Sequence, residues 1–265
     1  MPKIWFVTGS GQGLGRAIVN AALERGDHVA ASSRSPADVA GLADQYGDRV
    51  LPLALDVRDR DAAARALAAA VTRFGRIDVL VNNAARALPC AVEEANEGEA
   101  RDVIETNLLG AIWVTQAALP ILRAQGSGHI VQISSGGGVI SWPMNGIYQA
   151  SKWGLEGMSE SLAQETRHLG IKVTIVQAGH MESNMGRWVP EGPRLEAYDA
   201  PRAQLGSVAG RTGNDPRVLA RNLLTIVDAE DPPLRALLGR PLDDIRAAYE
   251  ERLTTWSQWV DRMER

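Results

Sequence analysis

Short apolar runs rich in β-branched residues alternate with longer amphipathic stretches from the start of the chain to about residue 180. The short runs have the length of buried strands, and the longer stretches carry apolar residues at helical spacing. This alternation is typical of βαβ units, in which helices connect the parallel strands of one sheet. The predicted strands are residues 3–8, 28–33, 50–55, 77–81, 128–134 and 171–176. The predicted helices are residues 14–25, 36–46, 59–74, 100–124 and 148–169, with a break in the fourth near residues 107–110.

The alternation of predicted strands and helices is interrupted in the last third of the chain. Residues 178–214 contain Gly, Pro, Met and Trp without a clear period, which predicts a long substrate loop rather than a second domain. A helix at 216–229, a strand at 234–238 and a C-terminal helix at 241–263 are expected to follow. We therefore predict one dinucleotide-binding and catalytic domain over residues 1–265. Its fold class is α/β, a single-domain Rossmann-type, doubly wound parallel sheet of about seven strands with helices on both faces.

The composition is that of a globular protein and disfavours several functional classes. The 265 residues are 45% hydrophobic and 23% charged, with a net charge of −4 and no long block of one sign. This balance argues against nucleic acid as the main partner. Apolar runs are too short to span a membrane and no signal-peptide pattern is present, so we expect a cytoplasmic protein without a membrane partner. Cys90 is the only cysteine and the histidines show no ligand spacing, so neither a disulfide nor a metal site is expected.

A glycine-rich turn lies between the first predicted strand and the first predicted helix. Residues 8–16 read Thr-Gly-Ser-Gly-Gln-Gly-Leu-Gly-Arg. At a helix N-terminus such a turn lets backbone amides and the positive end of the helix dipole approach a pyrophosphate. Glycines also mark ordinary turns, but the strand before and the helix after favour nucleotide binding. Gly9, Gly13 and Gly15 fit the spacing Thr-Gly-x-x-x-Gly-x-Gly better than Gly-x-Gly-x-x-Gly.

Tyr148 and Lys152 offer a phenol and an ammonium group one helical turn apart. Residues i and i+4 share a helix face, so the lysine cation is expected to lower the tyrosine pKa from its ordinary value of about 10. Ser135, thirteen residues before the tyrosine, would direct a second hydroxyl at the same substrate oxygen. The alternative is a chance pair on an amphipathic helix.

These motifs occur along the chain together with one aspartate and several asparagines. In the identity and the order of these residues, the chain resembles the short-chain dehydrogenase/reductase family over nearly its whole length. The resemblance rests on the glycine loop at 8–15, Asp56, Asn82-Asn83-Ala84, Asn107, Ser135, Tyr148 and Lys152. Each position is expected to lie at the carboxyl ends of the strands, where open α/β sheets bind ligands.

The resemblance implies four catalytic residues that interconvert a carbonyl and an alcohol. Tyr148 would donate a proton to the substrate carbonyl or remove one from the alcohol, while the nicotinamide exchanges a hydride with carbon. Lys152 would lower the tyrosine pKa and bind the nicotinamide ribose, and Ser135 would hydrogen-bond the carbonyl oxygen. Asn107 would hold a water that connects Lys152 to solvent. The alternatives are a Ser135 that only caps a turn and an Asn107 that faces solvent.

The resemblance also implies the cofactor contacts. Asp56 would contact the adenine amino group, Asn83 and Ala84 would pack beside the adenosine ribose, and Ser183 would bond the carboxamide. The expected cofactor-binding residues are Gly9, Gln12, Gly13, Leu14, Ser33, Arg34, Asp56, Val57, Asn83, Ala84, Tyr148, Lys152, Gly179, Met181 and Ser183.

The residues that end the second strand indicate which nicotinamide is used. NAD-preferring enzymes commonly have a carboxylate here that binds the ribose diol, whereas this chain has Ser33 and Arg34. With no carboxylate to repel it, a ribose 2′-phosphate could be bound by the Ser33 hydroxyl and the Arg34 guanidinium. We therefore expect NADP(H) rather than NAD(H). The alternative is that Arg34 faces solvent, and Gln12 stands where NADP-dependent relatives often carry a basic residue.

Large apolar side chains flank the expected catalytic residues and indicate a hydrophobic or ring-containing ketone or alcohol. They are Trp142, Met144, Met181, Met185 and Trp188. The alternative is that they fill the core or a subunit contact. His180 is expected to lie on the surface rather than at the substrate. The resemblance implies a homodimer or homotetramer formed by the helices at 100–124 and 148–169. The C-terminal helix, with Trp256 and Trp259 on one side, is expected to pack onto its own domain, and the alternative is an added subunit contact.

The sequence therefore predicts an NAD(P)(H)-dependent oxidoreductase, a carbonyl reductase or alcohol dehydrogenase with Tyr148 as general acid and base. A non-catalytic nucleotide-binding regulator on the same fold is the main alternative, but it would not need Asn107, Ser135, Tyr148 and Lys152 together. A sugar-nucleotide epimerase or dehydratase is disfavoured by the glycine spacing and the short C-terminal part.

Overall fold

Seven parallel strands form one sheet in the computed structural model of the chain, which describes residues 1–181, 189–203, 213–239 and 242–263. The strands are β1 (Ile4–Val7), β2 (His28–Ser33), β3 (Val50–Ala54), β4 (Val79–Asn82), β5 (Gly128–Ser135), β6 (Ile171–Ala178) and β7 (Arg235–Leu238). They pair in the order β3-β2-β1-β4-β5-β6-β7, and every neighbouring pair is parallel. This confirms the predicted Rossmann-type sheet. The strand order reverses between β1 and β4, which is where such sheets bind ligands.

Helices cover both faces of the sheet. They include α1 (Gly13–Glu24), α2 (Ala37–Tyr46), α3 (Arg60–Phe74), α4 (Glu97–Ile104), α5 (Gly110–Gln125), α6 (Gly146–Thr166), α7 (Pro216–Asp228) and α8 (Leu242–Met263). Helices α1, α2 and α7 pack on one face of the sheet with Trp5 and Val7, whereas α3, α5 and α6 pack on the other face with Phe6. Successive strand residues point to opposite faces, so strands covered on both sides are apolar throughout. None of the helices in the described ranges is long and apolar enough to cross a bilayer.

Local interactions fix where the elements begin and end. The Asp59 side chain accepts a hydrogen bond at 2.8 Å from a backbone amide in the first turn of α3, and Gly75, with a φ of 84°, ends that helix. β4 begins at Val79 rather than at residue 77. The Gln125 side chain bonds the amide of Ile77 at 3.1 Å and its carbonyl at 2.8 Å, in place of a strand partner.

The long helix predicted at 100–124 is interrupted where a break is expected. Its first part, α4, begins earlier, at Glu97, because the Asn96 side chain caps it by accepting a bond from a first-turn amide at 2.8 Å. A π-helical turn, Glu105–Leu109, joins α4 to α5. Such turns carry an extra residue and are frequent at functional sites. This one contains Asn107.

The C-terminal helix α8 has nearly the predicted bounds but not the predicted packing. The expectation that Trp256 and Trp259 pack onto their own domain is wrong, since they are 62% and 53% exposed. Helical spacing shows which side chains share a face, but it does not show which surface covers that face.

Candidate active site

The loops after β1 and β4 are joined by hydrogen bonds at the point where the strand order reverses. The Thr8 hydroxyl accepts bonds from the backbone amides of Asn83 and Ala84 at 2.9 and 3.0 Å. The Asn83 side chain donates to the carbonyls of Thr8 and Gly9 at 2.9 and 3.1 Å. Asn83 therefore holds the glycine loop in place, and its packing beside a ribose stays a prediction.

The glycines of this loop are required by backbone conformation and by lack of space. Gly9 and Gly13 have φ angles of 66° and 59°, which favour glycine. A Cβ on Gly15 would lie 2.3 Å from the Gly9 carbonyl oxygen and 2.4 Å from the side-chain nitrogen of Asn83. The backbone is therefore packed closely against the loop after β4 at the start of α1.

The N-terminus of α1 fits a pyrophosphate. Gln12 precedes the helix in an extended conformation, and its side chain forms no cap hydrogen bond. The first turn contains no acidic residue, so no carboxylate within it counters the positive end of the helix dipole. The side chain of Leu14 is buried in the core, so only its backbone could meet a cofactor.

A carboxylate lies beside the predicted 2′-phosphate position, so the premise that none is present there is wrong. Asp38, in the first turn of α2, accepts a hydrogen bond from the Ser33 hydroxyl at 2.8 Å. A Cβ on Gly11 would lie 3.0 Å from the Asp38 carboxylate, which therefore also adjoins the glycine loop. The residues at the end of β2 do not predict this carboxylate, because Asp38 belongs to the following helix. The Arg34 side chain is exposed.

Asp56, the expected adenine contact, is oriented by Arg58. The guanidinium of Arg58 donates to Asp56 at 2.7 Å and to Asp102 of α4 at 2.8 Å. The hydrogen bond from Arg58 lowers the pKa of Asp56, and the charge of Arg34 acts in the same direction. The Asp56 carboxylate therefore stays ionised at neutral pH and can accept a hydrogen bond from an amino group.

The π-helical turn before α5 buries Asn107 against α6. Asn107 is 1% exposed, so the solvent-facing alternative is wrong. Its side chain accepts from the Arg86 amide at 2.8 Å and donates to the Arg86 carbonyl at 2.9 Å and the Ser151 hydroxyl at 3.0 Å. Ser151 directly precedes the expected catalytic lysine. Just past the turn, a Cβ on Gly110 would lie 2.6 Å from the Val57 side chain, so that side chain packs against α5.

Ser135, Tyr148 and Lys152 come together between the end of β5 and the start of α6. The Ser135 hydroxyl accepts a bond from the Gly137 amide at 3.1 Å and lies near enough to the Tyr148 hydroxyl to affect its pKa. The Lys152 ammonium lies 5.9 Å from the centre of the Tyr148 ring and donates to the Ile133 carbonyl at 2.8 Å. One hydroxyl pair and one buried cation thus share a single cluster.

Burial, and not the neighbouring cation, dominates the pKa of Tyr148. Burial raises the pKa of this phenol, and the nearby Ser135 hydroxyl opposes the rise. Burial also lowers the pKa of Lys152 to about 8, an effect that the charge of Glu156 opposes. The pKa of Tyr148 is therefore raised and not lowered as expected, because desolvation has the largest effect on it.

Glu156 is a buried carboxylate that the sequence motifs missed. It is 5% exposed and lies one turn beyond Lys152. Its carboxylate accepts hydrogen bonds from Gln177 at 3.2 Å and from Arg235 at 3.3 Å. Burial raises the pKa of Glu156, and these partners oppose the rise. The sequence did contain a signal for Glu156. It follows Lys152 by four residues, as Lys152 follows Tyr148, so all three side chains share one helix face.

One of the predicted apolar wall residues borders the cluster. The Trp142 ring lies against Gly137, where a Cβ would be 3.1 Å from the ring edge. Met144 is buried with a φ of 66°, a conformation that is uncommon for residues with a side chain and that clusters at functional sites. Three predicted residues lie outside the described ranges: Ser183, Met185 and Trp188.

The start of the predicted substrate loop is fastened to β7. The Asn214 side chain donates to the carbonyls of His180 and Gly239 at 2.6 and 2.8 Å. Met181 pairs with Asn214 in an isolated bridge, and the Gly179 amide donates to a β7 carbonyl at 2.8 Å. The His180 side chain is exposed, as expected.

The later part of this loop is fastened to the segment before α4 by Glu94, which sequence reasoning missed. Glu94 is 2% exposed. It accepts hydrogen bonds from the Leu195 amide at 2.8 Å and from Arg202 at 2.5 Å, and its second oxygen accepts from the Ala91 amide at 2.9 Å. A Cβ on Gly192 would overlap the Glu94 carbonyl at 1.8 Å. These groups are far apart in sequence, so no local spacing reveals them.

Neighbouring residues extend this attachment to α6. Glu99 accepts a bond from the Glu191 amide at 2.8 Å, and Tyr198 donates to Glu93. On the other side of the segment, a Cβ on Gly146, the first residue of α6, would lie 2.5 Å from a Val92 methyl group. The segment therefore bridges the loop and the start of the helix that carries Tyr148.

The one cysteine is sequestered. Cys90 is 3% exposed, and burial raises the pKa of its thiol to about 11. Within the ranges that the structure describes, no three His, Cys, Asp or Glu side chains are grouped as a metal site.

Comparison with known proteins adds independent evidence. A family model described as short chain dehydrogenase matches residues 3–193. The chain is 40% identical over 248 residues to oxidoreductase BOA17 of Botryotinia fuckeliana, covering 90% of this chain and 89% of that protein. It is 33% identical over 244 residues to a 3-ketodihydrosphingosine reductase of Bacteroides thetaiotaomicron, covering 90% of this chain and 88% of that protein.

Solved structures share the fold. A short-chain dehydrogenase from Streptomyces avermitilis superposes with a TM-score of 0.91 at 34% identity, over 100% of this chain and 98% of that chain. Two structures at 22% identity have TM-scores of 0.77 and 0.85, and cover 91% and 96% of this chain and 99% and 95% of their own. They are a Thermococcus sibiricus alcohol dehydrogenase with 5-hydroxy-NADP and a Burkholderia phymatum short-chain dehydrogenase/reductase with NAD. Sequence and fold together show that the chain belongs to the short-chain dehydrogenase/reductase family of oxidoreductases.

Proposed function

We propose that the chain is an NADP(H)-dependent carbonyl reductase that converts a hydrophobic or ring-containing ketone to an alcohol. The observation that carries the proposal is the cluster of Ser135, Tyr148 and Lys152, in which two neighbouring hydroxyls lie beside a buried ammonium group. A bound nicotinamide would supply the hydride. The cluster would supply the proton.

Ser135 and Tyr148 would present two hydroxyl donors to one carbonyl oxygen. The raised pKa of Tyr148 keeps its proton on the phenol at neutral pH, so Tyr148 acts as the acid in the direction of reduction. As the proton leaves, the positive charge of Lys152 stabilises the phenolate. Because the pKa of Lys152 is about 8, that charge is mostly present at pH 7.

Asn107 would support the return of a proton to Lys152. Its side chain is already bonded to Arg86 and Ser151, so a relay water would bind to the backbone of the π-helical turn. The extra residue in such a turn leaves a carbonyl outside the regular helical pattern. Asn107 would therefore fix the turn that positions this carbonyl near Lys152.

Arg34 and Asp38 would act on the cofactor in opposite directions. The exposed Arg34 guanidinium attracts a ribose 2′-phosphate, and the Asp38 carboxylate repels it. We assign NADP(H) because the Ser33 hydroxyl is bonded to Asp38, so the carboxylate is partly satisfied within the protein. The pyrophosphate would lie over the amides between Gly9 and Gly13, and Asp56 would accept a bond from the adenine amino group.

The substrate assignment rests on an aromatic residue beside the cluster. Trp142 lies against Gly137, two residues after Ser135, and would provide an apolar wall there. The name of the Bacteroides thetaiotaomicron relative specifies a keto group as the position reduced, which supports a ketone substrate here.

The direct test is turnover of a carbonyl panel monitored by NADPH absorbance, with cyclohexanone, acetophenone, 1-tetralone and 2-octanone as probes. We expect oxidation of NADPH with a ring ketone and a higher kcat/KM with NADPH than with NADH. An advantage for NADH would overturn the cofactor assignment. Tight NADPH binding without turnover of any carbonyl or alcohol would overturn the enzymatic proposal and favour a nucleotide-binding regulator.

A further inference from the structure

One aspartate connects Arg58, the partner of Asp56, to the π-helical turn that contains Asn107. Asp102 lies in the second turn of α4. One of its oxygens accepts a hydrogen bond from Arg58 at 2.8 Å, and its other oxygen accepts one from Arg86. The backbone of Arg86 is bonded in turn to the Asn107 side chain, at 2.8 and 2.9 Å. Asp102 therefore fastens Arg58 to the part of the structure that carries this turn.

Every nitrogen of the Arg58 guanidinium donates to a carboxylate. Nε donates to both oxygens of Asp56 at 3.1 Å, Nη2 donates to one of them at 2.7 Å, and Nη1 donates to Asp102. A guanidinium is planar and holds its donors in a fixed fork, so a bond at one end also fixes the direction of the other end. Asp102 therefore keeps the fork turned toward Asp56.

Asp56 has room for one further donor. An ionised carboxylate offers about four lone-pair sites. Among the described residues, three donors reach Asp56: Nε and Nη2 of Arg58, and the backbone amide of Arg58 at 3.0 Å. About one site is left, and the Asp56 side chain is 35% exposed, so an incoming amino group could reach it. The backbone bond orients the carboxylate independently of the guanidinium.

The pairing of Arg58 decides which purine this place favours. Adenine carries an amino donor at position 6 of the ring, whereas guanine and hypoxanthine carry a carbonyl acceptor there. An ionised carboxylate only accepts hydrogen bonds, so Asp56 would favour the amino group and repel the carbonyl. A guanidinium only donates, so an Arg58 that left its partners would favour the carbonyl. Selectivity for adenine therefore requires that Arg58 stay bound to its carboxylates.

We propose that Asp102 is a positioning residue that determines base specificity, because it holds Arg58 on Asp56 and so makes the site select a 6-aminopurine over a 6-oxopurine. Asp102 acts through Arg58 rather than on the base itself. This inference rests on the proposed function, in which Asp56 accepts a hydrogen bond from the adenine amino group.

The test compares the dissociation constants of NADPH and its hypoxanthine analogue, deamino-NADPH. Both carry the reduced nicotinamide, so one fluorescence titration measures either. We expect wild type to bind NADPH about tenfold more tightly, since the analogue loses one hydrogen bond to a charged group. Asp102→Asn should lower this ratio several-fold, because the released Nη1 can donate to the 6-oxo group. The control is Asp61→Asn, at an exposed position in the first turn of α3, which should keep the wild-type ratio.

A second substitution separates this role from a general loosening of the site. Arg58→Gln added to Asp102→Asn removes the released guanidinium, and the backbone amide of residue 58 still orients Asp56. The ratio should therefore rise again toward the wild-type value in the double variant. A merely structural role for Asp102 predicts that the ratio does not recover. Unchanged circular dichroism would show that the variants fold.

The outcomes distinguish this inference from the proposed function. Binding requires no turnover, and NADH with deamino-NADH allows the same comparison if NADH is the preferred cofactor. Equal binding of both nucleotides by wild type would overturn the contact between Asp56 and adenine, and this inference with it. A wild type that discriminates, beside an Asp102→Asn variant with the same ratio, would overturn this inference alone. A double variant whose ratio fails to recover would do the same.

Discussion

Burial and charge pull the pKa of Lys152 in opposite directions. Loss of water lowers this pKa to about 8, and the nearby carboxylate of Glu156 opposes the fall. Because Lys152 must be charged to stabilise a Tyr148 phenolate, the wild-type rate of ketone reduction should fall as pH rises through about 8.

Glu156→Gln keeps the shape of the side chain and removes its charge. The pKa of Lys152 should then fall further, so the alkaline limb of the kcat profile should move to lower pH, by roughly one unit. The control is Glu160→Gln, which changes the exposed partner of the same Arg235, 2.8 Å away. Measured kcat profiles that coincide for wild type and Glu156→Gln would contradict the role given to this carboxylate.

We expect Asp38 to affect cofactor choice by repelling a ribose 2′-phosphate. Asp38→Asn should keep a hydrogen-bonding side chain beside Ser33 and remove the charge, so the ratio of kcat/KM for NADPH to that for NADH should rise by roughly tenfold. Arg34→Gln should lower the same ratio. Asp44→Asn, on the exposed side of α2, is the control and should leave it unchanged. A ratio that Asp38→Asn does not alter would show that the carboxylate lies away from the bound ribose.

The elements expected to shape the substrate side of the site are connected through Glu94. Its hydrogen bonds tie Leu195 and Arg202 of the loop to the segment that packs against the start of α6. The hydrogen bond from the Leu195 amide lowers the pKa of Glu94, and Arg202 acts in the same direction. The carboxylate is thus ionised and holds this part of the loop to the segment that packs against α6.

Glu94→Gln should loosen the loop without disturbing the nucleotide site. We expect the KM for the best ketone to rise several-fold, with the NADPH dissociation constant unchanged, and tryptic cleavage after Arg194 to become faster. Glu97→Gln, which alters an exposed pair with Arg101 on α4, is the matched control. Equal cleavage rates and equal KM values in Glu94→Gln and wild type would refute the positioning role.

Element type and order follow from the sequence because each strand and helix carries its own local pattern. The periodicity predicts β2 at residues 28–33 and the interruption near Asn107, and both are observed. The spacing of Ser135, Tyr148 and Lys152 likewise predicts that these residues form one cluster. The contacts of Asp38 and Glu94 could not be predicted, since they join residues from separate elements. The prediction that α8 packs onto its own domain was also wrong, because the pattern of a helix does not show which surface covers it.

At the scale of the whole molecule, a buried histidine couples stability to pH. His129 lies in β5 and is 4% exposed, with its ring 2.9 Å from the Thr174 hydroxyl of β6. Burial lowers the pKa of His129 to about 4, and the charges of Lys172 and Lys3 act in the same direction. Between about pH 4 and pH 6.5 this ring is therefore neutral in the folded protein, whereas the unfolded chain, with a pKa of about 6.5, binds a proton there.

This difference should destabilise the protein in mild acid. The stability that His129 contributes is present above about pH 6.5 and is lost as pH falls toward 4, by about 3 kcal/mol in all. His129→Gln should remove that part of the slope, and His168→Gln, at an exposed position, should not. The measurement is the free energy of urea unfolding at several pH values. Identical slopes in wild type and His129→Gln would contradict the neutral buried ring.

The central claim is that Tyr148 supplies the proton in ketone reduction, and Tyr148→Phe tests it most directly. This variant keeps the ring and removes only the hydroxyl. The measurement is kcat for the best ketone with saturating NADPH, beside the NADPH dissociation constant. We predict a loss of about 10²–10⁴-fold in kcat with nearly unchanged NADPH binding. Turnover at the wild-type rate would contradict the account.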